Sequence, residues 1–193
     1  MRHCELMLLG VLVTGGMAMT PQPGTIMRED PAPAKGGEED TSSSITLVLP
    51  GEPGEPLVVS GTVYRHDGTT PAPGVRMQVY HTDARGYYNE GNRGTREPRI
   101  LGWLTTDAKG RYMFRTIRPG PYPGSRGPAH IHSKVVVNGG EKWIDEFLFD
   151  DDPNVPEKDR MKWSGKGLVS PILKVTRGAD GVLYATRNII LEE

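Results

Sequence analysis

The sequence contains one cysteine, Cys4, so it offers neither an internal disulfide nor a cysteine-based zinc site. It has no excess of either charge, because 23 lysines and arginines face 24 aspartates and glutamates. This balance predicts no nucleic-acid partner and no role at a membrane surface. The apolar run at residues 6–13 is much shorter than the ~20 residues that a membrane-spanning helix needs. These absences favour one ordinary globular domain, which the length of 193 residues also suits.

The first residues have the layout of a secretory signal peptide. Arg2 precedes the apolar run LMLLGVLV, and Gly16-Met17-Ala18 provides small residues at a cleavage site. We therefore predict a cleaved signal peptide over residues 1–18 and a secreted or periplasmic protein, with no membrane contact after cleavage. The alternative is a disordered start and a cytoplasmic protein.

The next segment, residues 19–44, lacks any periodic apolar pattern. Proline, glycine, serine and acidic residues dominate it, and such segments bury too little apolar surface to offset the entropy of the chain. We predict a disordered linker over residues 19–44. The folded domain is then residues 45–193, which is long enough for an independent core.

The folded part has the composition of a β protein. The 25 glycines and 17 prolines of the chain break helices and favour short strands joined by tight turns. Turn signals such as Asp-Gly separate runs rich in β-branched and aromatic residues. We predict an all-β fold, an antiparallel β-sandwich with a disordered N-terminal arm, and one helical turn at residues 157–163. The predicted strands are residues 57–64, 75–81, 100–106, 111–117, 130–137, 142–149, 168–175 and 183–191.

The strand predicted at residues 142–149 and the acidic run after it lead to two packing predictions. Trp143 and Phe147 share one face of the strand by its two-residue period, so both are expected in the core. The run Asp150-Asp151-Asp152 is expected to be a solvated turn that closes the strand.

The densest cluster of chemically active residues lies between Gly120 and His132. If His130 and His132 begin a strand, both imidazoles project from the same face, and their nitrogens can bind one metal ion. Tyr122 lies upstream in a loop that its prolines restrict. A hard trivalent cation such as Fe³⁺ can deprotonate a phenol, so this set favours ferric iron over zinc. The alternatives are a structural histidine pair and a tyrosine that only packs on the edge of the fold.

Four stretches together resemble the intradiol ring-cleavage dioxygenases, a family that includes protocatechuate 3,4-dioxygenases, catechol 1,2-dioxygenases and hydroxyquinol dioxygenases. They are GTVYRHDGTTPAPGVRMQVYHTDARGYY, GWLTTDAKGRYMFRTIRPGPYPG, PAHIH and FLFDDDP. The resemblance implies a β-sandwich enzyme whose single non-haem Fe³⁺ is held by two tyrosinates and two histidines. Carried over by position, the metal ligands are Tyr88, Tyr122, His130 and His132, with the adjacent Tyr87 as the fallback for Tyr88.

The resemblance also implies a reaction and shows two departures from the family. A small aromatic diol would react with O₂, and its ring would open between the two hydroxylated carbons. Tyr122 would leave the metal when substrate arrives and act as a base. The arginine that the family has directly before Pro-Ala-His is replaced by Gly127, so Arg126 is the candidate that stabilises the developing anion. Glu146 stands where the family has a glutamine, and a carboxylate there repels a bound catecholate unless it is protonated or paired.

A second class of function fits part of the sequence. Residues 61–114 also resemble transthyretin-like binding modules, and loss of the family's arginine and glutamine is compatible with a metal-binding relic of little activity. The four-ligand set favours the enzyme, because a binding module has no reason to assemble it. The sequence leaves the particular catechol and a homo-oligomeric state open.

Overall fold

The structure is a computed structural model, and it describes residues 42–89 and 97–192. The signal peptide predicted at residues 1–18 and the linker up to residue 41 lie outside the described residues. Ser44 and Ile45 belong to the first strand. Within the described ranges, no helix has the length and apolar character needed to cross a bilayer.

The described residues form twelve strands, one α-helix and one turn of 3₁₀-helix at Gly167–Val169. Helix α1 (Glu157–Trp163) occupies the stretch where a single helical turn is predicted. The strands are β1 (Ser44–Thr46), β2 (Pro56–Tyr64), β3 (Arg76–His81), β4 (Ile100–Thr105), β5 (Arg111–Ile117), β6 (Ile131–Val137), β7 (Gly140–Trp143), β8 (Leu148–Phe149), β9 (Ile172–Leu173), β10 (Thr176–Arg177), β11 (Leu183–Thr186) and β12 (Ile189–Ile190).

Most strands lie in two larger sheets. One has the order β1-β5-β2-β11-β10, with β12 also paired to β2, and the other has the order β4-β3-β6-β7. The second sheet is antiparallel throughout. The first is mixed, because β1 runs parallel to β5, and β11 and β12 run parallel to β2; β8 and β9 form a further parallel pair. The prediction of antiparallel pairing therefore holds for the second sheet and for the β2–β5 and β10–β11 pairs, and it is wrong for the parallel pairs. A tight turn fixes the direction of consecutive strands, whereas these pairs join segments distant in sequence.

The last two predicted strands are interrupted. The stretch 183–191 is split into β11 and β12 because the side-chain Oδ1 of Asn188 accepts the N–H of Thr62, where a ladder carbonyl would otherwise be (3.0 Å). The prediction of a strand over 168–175 is wrong for most of its length. Pro171 has no N–H to donate to a ladder, and the chain there forms the 3₁₀ turn and the two-residue β9.

The two larger sheets share one hydrophobic core. Alternate side chains of β3 and β6 point into it from one sheet, and alternate side chains of β2 and β5 from the other. Phe114 of β5 meets Phe147 edge to face with ring centroids 5.9 Å apart, and both side chains are fully buried. Burial of each such side chain contributes about 1.5–3 kcal/mol to stability.

A β-bulge follows the end of β7. Trp143 pairs with Lys134 of β6, and Phe147 pairs with Ile131 of β6. The chain advances four residues from Trp143 to Phe147 while β6 advances three, so the bulged segment has one residue more than its partner strand. The extra residue reverses the facing of the side chains that follow. Phe147 is fully buried, whereas Trp143 is 60% exposed. The prediction that Trp143 belongs to the core is therefore wrong.

His81 joins the two sheets at the end of β3. Its Nδ1 lies 2.6 Å from the carbonyl of Thr82 and its Nε2 lies 2.6 Å from Oγ1 of Thr116 in β5. A neutral imidazole satisfies both contacts by donating from Nδ1 and accepting at Nε2. Burial lowers the pKa of His81 from 6.5 to about 4, so the folded protein keeps this side chain uncharged near neutral pH.

His81 makes the free energy of unfolding depend on pH. Between pH 6.5 and about pH 4 the unfolded chain binds a proton at His81 that the folded chain does not, so stability falls as the pH is lowered through this window. The slope from one such group is at most about 1.4 kcal/mol per pH unit. Urea unfolding at several pH values will show this slope and its reduction in a His81→Gln variant. His66→Gln, which replaces an exposed histidine, is the control; an equal slope in all three proteins would contradict the assignment.

Candidate metal centre

Two histidines form the base of the candidate site. His130 and His132 flank Ile131 at the start of β6, and Ile131 is fully buried in the core. Strand alternation therefore directs both imidazoles to the opposite side. Their Nε2 atoms lie 3.2 Å apart, so the two side chains share one site.

The other ring nitrogen of each histidine is already held by a hydrogen-bond acceptor. Nδ1 of His130 lies 2.9 Å from the carbonyl of Pro128, and Nδ1 of His132 lies 3.2 Å from Oε1 of Glu146. A ring that donates its single N–H from Nδ1 to this acceptor presents a lone pair at Nε2. Two lone pairs at this separation repel each other unless a proton donor or a cation lies between them.

Two tyrosines complete the cluster. The hydroxyl of Tyr122 lies 3.2 Å from Nε2 of His130 and 3.1 Å from Nε2 of His132. The hydroxyl of Tyr88 lies 2.5 Å from that of Tyr122. The backbone of the adjacent Tyr87 closes a turn with Asp83, its N–H donating to Oδ1 and its carbonyl accepting the N–H of Asp83. Of the two adjacent tyrosines, Tyr88 is therefore the one that meets Tyr122.

Close backbone packing brings together the two loops that carry these tyrosines. The N–H of Gly120 donates to the carbonyl of Asp83 (2.9 Å) and the hydroxyl of Thr82 donates to the carbonyl of Gly120 (2.8 Å). Gly86 has a φ of +87°, and a Cβ on it would lie 1.9 Å from the carbonyl oxygen of Pro121. The loops can approach this closely because neither glycine has a side chain.

Asp152 fixes the backbone directly before His130 by a side-chain hydrogen bond. Its side chain is buried, and Oδ2 accepts the N–H of Ala129, the residue before His130 (2.8 Å), while Oδ1 accepts the N–H of Asn154 (2.9 Å). The prediction of a solvated turn is thus wrong for Asp152, although the other two aspartates of the run are exposed. The signal that could have located it is the aspartate–proline turn, where a carboxylate caps backbone N–H groups.

Aromatic side chains surround the cluster and shape its electrostatics. Tyr80 of β3 stacks on His132 with ring centroids 4.8 Å apart, and Trp143 lies edge-on to the same imidazole.

The surroundings of the cluster shift the pKa values of two of its acidic groups. Burial, followed by the hydrogen bond to Tyr122, raises the pKa of Tyr88 far above its usual value. The hydrogen bond with His132 lowers the pKa of Glu146. The phenol therefore stays protonated in the absence of a cation, and the carboxylate is ionised.

Three of the four donor atoms are spaced as the ligands of a single metal ion would be, and the fourth, Oη of Tyr88, contacts Oη of Tyr122. Atoms that share an ion at about 2.0–2.2 Å lie roughly 3 Å from one another, and the contacts of Tyr122 with both imidazoles and of the two imidazoles with each other have this length. His130, His132 and Glu146 also lie close enough to form a ligand group. Because Glu146 contacts Nδ1 of His132 and not Nε2, its position is that of a group that orients the ligand.

Comparison with known proteins identifies the family. A family model described as a dioxygenase matches residues 29–192. The chain is 32% identical to the protocatechuate 3,4-dioxygenase beta chain of Burkholderia cepacia over 66% of this chain and 60% of that protein. It is 29% identical to catechol 1,2-dioxygenase 1 of Acinetobacter lwoffii over 55% of this chain and 40% of that protein.

The chain belongs to the intradiol ring-cleavage dioxygenase family. Among solved structures, it resembles the dioxygenase domain of a dioxygenase and carbohydrate-binding protein fusion from Streptomyces sp. SirexAA-E. That likeness has 26% identity and a TM-score of 0.59, and it covers 83% of this chain and 94% of the other. The chain spans about 40–60% of the length of the two curated relatives named above.

The two departures from the family motif have different structural settings in this family member. Gly127 donates its N–H to Oγ of Ser125 (2.9 Å). Arg126, beside it, is exposed, and no described residue forms a hydrogen bond or ion pair with its guanidinium. Glu146 contacts Nδ1 of His132, and this hydrogen bond lowers its pKa and keeps the carboxylate ionised. The catalytic role assigned to Arg126 stays a prediction.

Replacing Gly120 tests whether close loop packing sets the site. A Cβ at Gly120 would lie 2.5 Å from the carbonyl oxygen of Ala84 and 2.8 Å from the amide nitrogen of Gly86. We expect Gly120→Ala to lower the free energy of unfolding by about 1–3 kcal/mol and to reduce the iron retained per chain. Gly127→Ala is the matched control in the same loop, because a Cβ there meets only Oγ of Ser125 at 3.2 Å. Wild-type stability and iron content in Gly120→Ala would refute this account of the loops.

Proposed function

We propose that this protein is a ferric intradiol dioxygenase that opens the ring of a catechol-type diol between its two hydroxylated carbons, using O₂. The observation that carries the proposal is the meeting of two phenol oxygens and two imidazole nitrogens in contacts of 2.5–3.2 Å. Family membership supports it, because the curated relatives are named as dioxygenases of catechol and protocatechuate. We also propose that the two larger sheets face each other as a β-sandwich, since they share one core.

The donor set favours Fe³⁺ over softer or weaker Lewis acids. Tyr88, Tyr122, His130 and His132 would hold the ion, two through oxygen and two through nitrogen. Because burial raises the pKa of Tyr88, only a strongly acidic cation can convert that phenol to a phenolate. When bound, ferric iron supplies the Lewis acidity that holds a deprotonated diol and prepares it for reaction with O₂.

Tyr122 is the residue best placed to move a proton. Its hydroxyl contacts Tyr88 and both imidazoles, and its ring is held by a loop that the core does not enclose. We assign Oη of Tyr122 as the base that accepts a proton from a substrate hydroxyl. Arg126 is the proposed cation for the anion that develops, and in the described structure its guanidinium has no competing partner. Export of the enzyme, which depends on residues 1–18, stays a prediction.

Metal content and colour test the function and the ligand set together. We expect the purified protein to contain about one iron per chain and to absorb visible light through charge transfer from tyrosinate to iron. It should also consume O₂ with catechol, hydroxyquinol or protocatechuate. Tyr88→Phe and Tyr122→Phe should each reduce the colour, whereas the matched control Tyr87→Phe should keep it.

Two outcomes of this experiment would go against the proposal. A protein that stays colourless and keeps no iron after reconstitution would refute it. A coloured, iron-loaded protein that consumes no O₂ with any of the three diols would instead support the metal-binding relic. Loss of colour in Tyr87→Phe and not in Tyr88→Phe would move the first ligand to Tyr87.

Glu146 can be tested by separating its charge from its hydrogen bond. Glu146→Gln keeps an acceptor for Nδ1 of His132 but removes a negative charge near the substrate, so we expect unchanged iron content and a lower KM for catechol. Glu146→Ala removes the acceptor as well, and loss of such an orienting partner costs about 10–100-fold in metal affinity. Iron titration and O₂ uptake measure the two effects. Equal iron affinity in the alanine variant and the wild type would show that Glu146 does not orient His132.

A further inference from the structure

A cavity separate from the candidate metal centre lies beside the bulged segment at Trp143, Ile144 and Asp145. It has a volume of about 400 Å³, which is within the range of small-molecule sites. Its walls are mainly apolar and include two indole rings. The residues that matter for its chemistry are Trp143, Trp163, Ile144, Ile190, Lys142 and Arg187.

Arg187 is a buried cation at this cavity that forms no direct ion pair with a described residue, although the nearby carboxylate of Asp145 interacts with its charge. Its side chain is only 4% exposed and lies over the ring of Phe147, 4.4 Å from the centroid. Its terminal Nη1 donates to the carbonyl of Asp145 (2.7 Å), but the buried Nε has no acceptor. Asp145 and Glu192 also line the cavity, yet among the described residues no carboxylate forms an ion pair with Arg187.

These observations define what the cavity can bind. A buried guanidinium with an unsatisfied Nε and no direct ion pair is unfavourable, and a planar carboxylate matches its N–H groups in charge and geometry. The two indoles and the aliphatic walls suit a flat apolar body. We propose that this cavity is a binding site for an aromatic monocarboxylate, with the carboxylate at Arg187 and the ring between Trp143 and Trp163.

The proposed site is distinct from the metal centre in its residues. None of the four candidate metal ligands lines the cavity. A separate groove beside the centre, lined by His132 and Glu146, shares only its wall of Trp143, Ile144, Asp145 and Trp163 with the cavity. The inference therefore does not need the proposed ring cleavage to be correct.

Calorimetric titration of the full chain with benzoate tests the proposal, with benzamide as the neutral ligand of the same shape. Benzamide lacks the negative charge of benzoate, so it loses the charge-assisted hydrogen bonds to Arg187. We therefore expect its dissociation constant to be at least about tenfold higher than that of benzoate. Arg187→Gln should weaken benzoate binding by a similar factor. Ile190→Glu places a negative charge at the partly exposed edge of the cavity and should also weaken it, and this variant carries the test if Arg187→Gln does not fold.

Two controls separate this site from others that could take benzoate. Leu49→Glu makes the same charge change at an exposed position outside the cavity and should leave the affinity unchanged. His130→Ala removes a candidate metal ligand and should leave it unchanged as well. The proposal is overturned if the wild type does not bind benzoate, if Ile190→Glu binds it as well as the wild type, or if His130→Ala abolishes binding.

Discussion

Two tyrosine-bearing loops can meet above the histidines only because Gly86 and Gly120 leave room for their backbones to touch. At both positions a side chain would overlap a carbonyl oxygen of the other loop. The hydrogen bonds of Asp83 and Thr82 then lock the loops together. The arrangement of the four candidate ligands thus depends on backbone packing between the two loops.

The bulge after Trp143 has a comparable influence on the other side of the site. One extra residue turns Phe147 into the core and leaves Trp143 at the surface beside His132 and Tyr80. The same irregular segment brings Glu146 to Nδ1 of His132 and the carbonyl of Asp145 to Arg187. A single local irregularity therefore supplies the orienting partner of a candidate ligand and one contact of the separate cavity.

The local pattern of apolar residues and turn signals in the sequence was sufficient to predict many of the strands. Five strands of the central part follow from alternating apolar residues between turn signals, and the shared facing of His130 and His132 follows from strand period. The resemblance to the family identified Tyr88 ahead of Tyr87. The bulge, the parallel pairings and the split of residues 183–191 were not predictable, because each depends on contacts between segments distant in sequence. The aspartate–proline turn signals the local cap of Asp152 on the N–H of Asn154, but its contact with the N–H of Ala129, 23 positions upstream, was not predictable.

The central claim is that Tyr88, Tyr122, His130 and His132 bind one ferric ion. The most direct test is a crystal structure of the iron-loaded protein with an anomalous difference map recorded at the iron absorption edge. The account predicts one peak at about 2.0–2.2 Å from the two phenol oxygens and the two Nε2 atoms. A peak bound instead through the Glu146 carboxylate, or no peak among these four side chains, would contradict it.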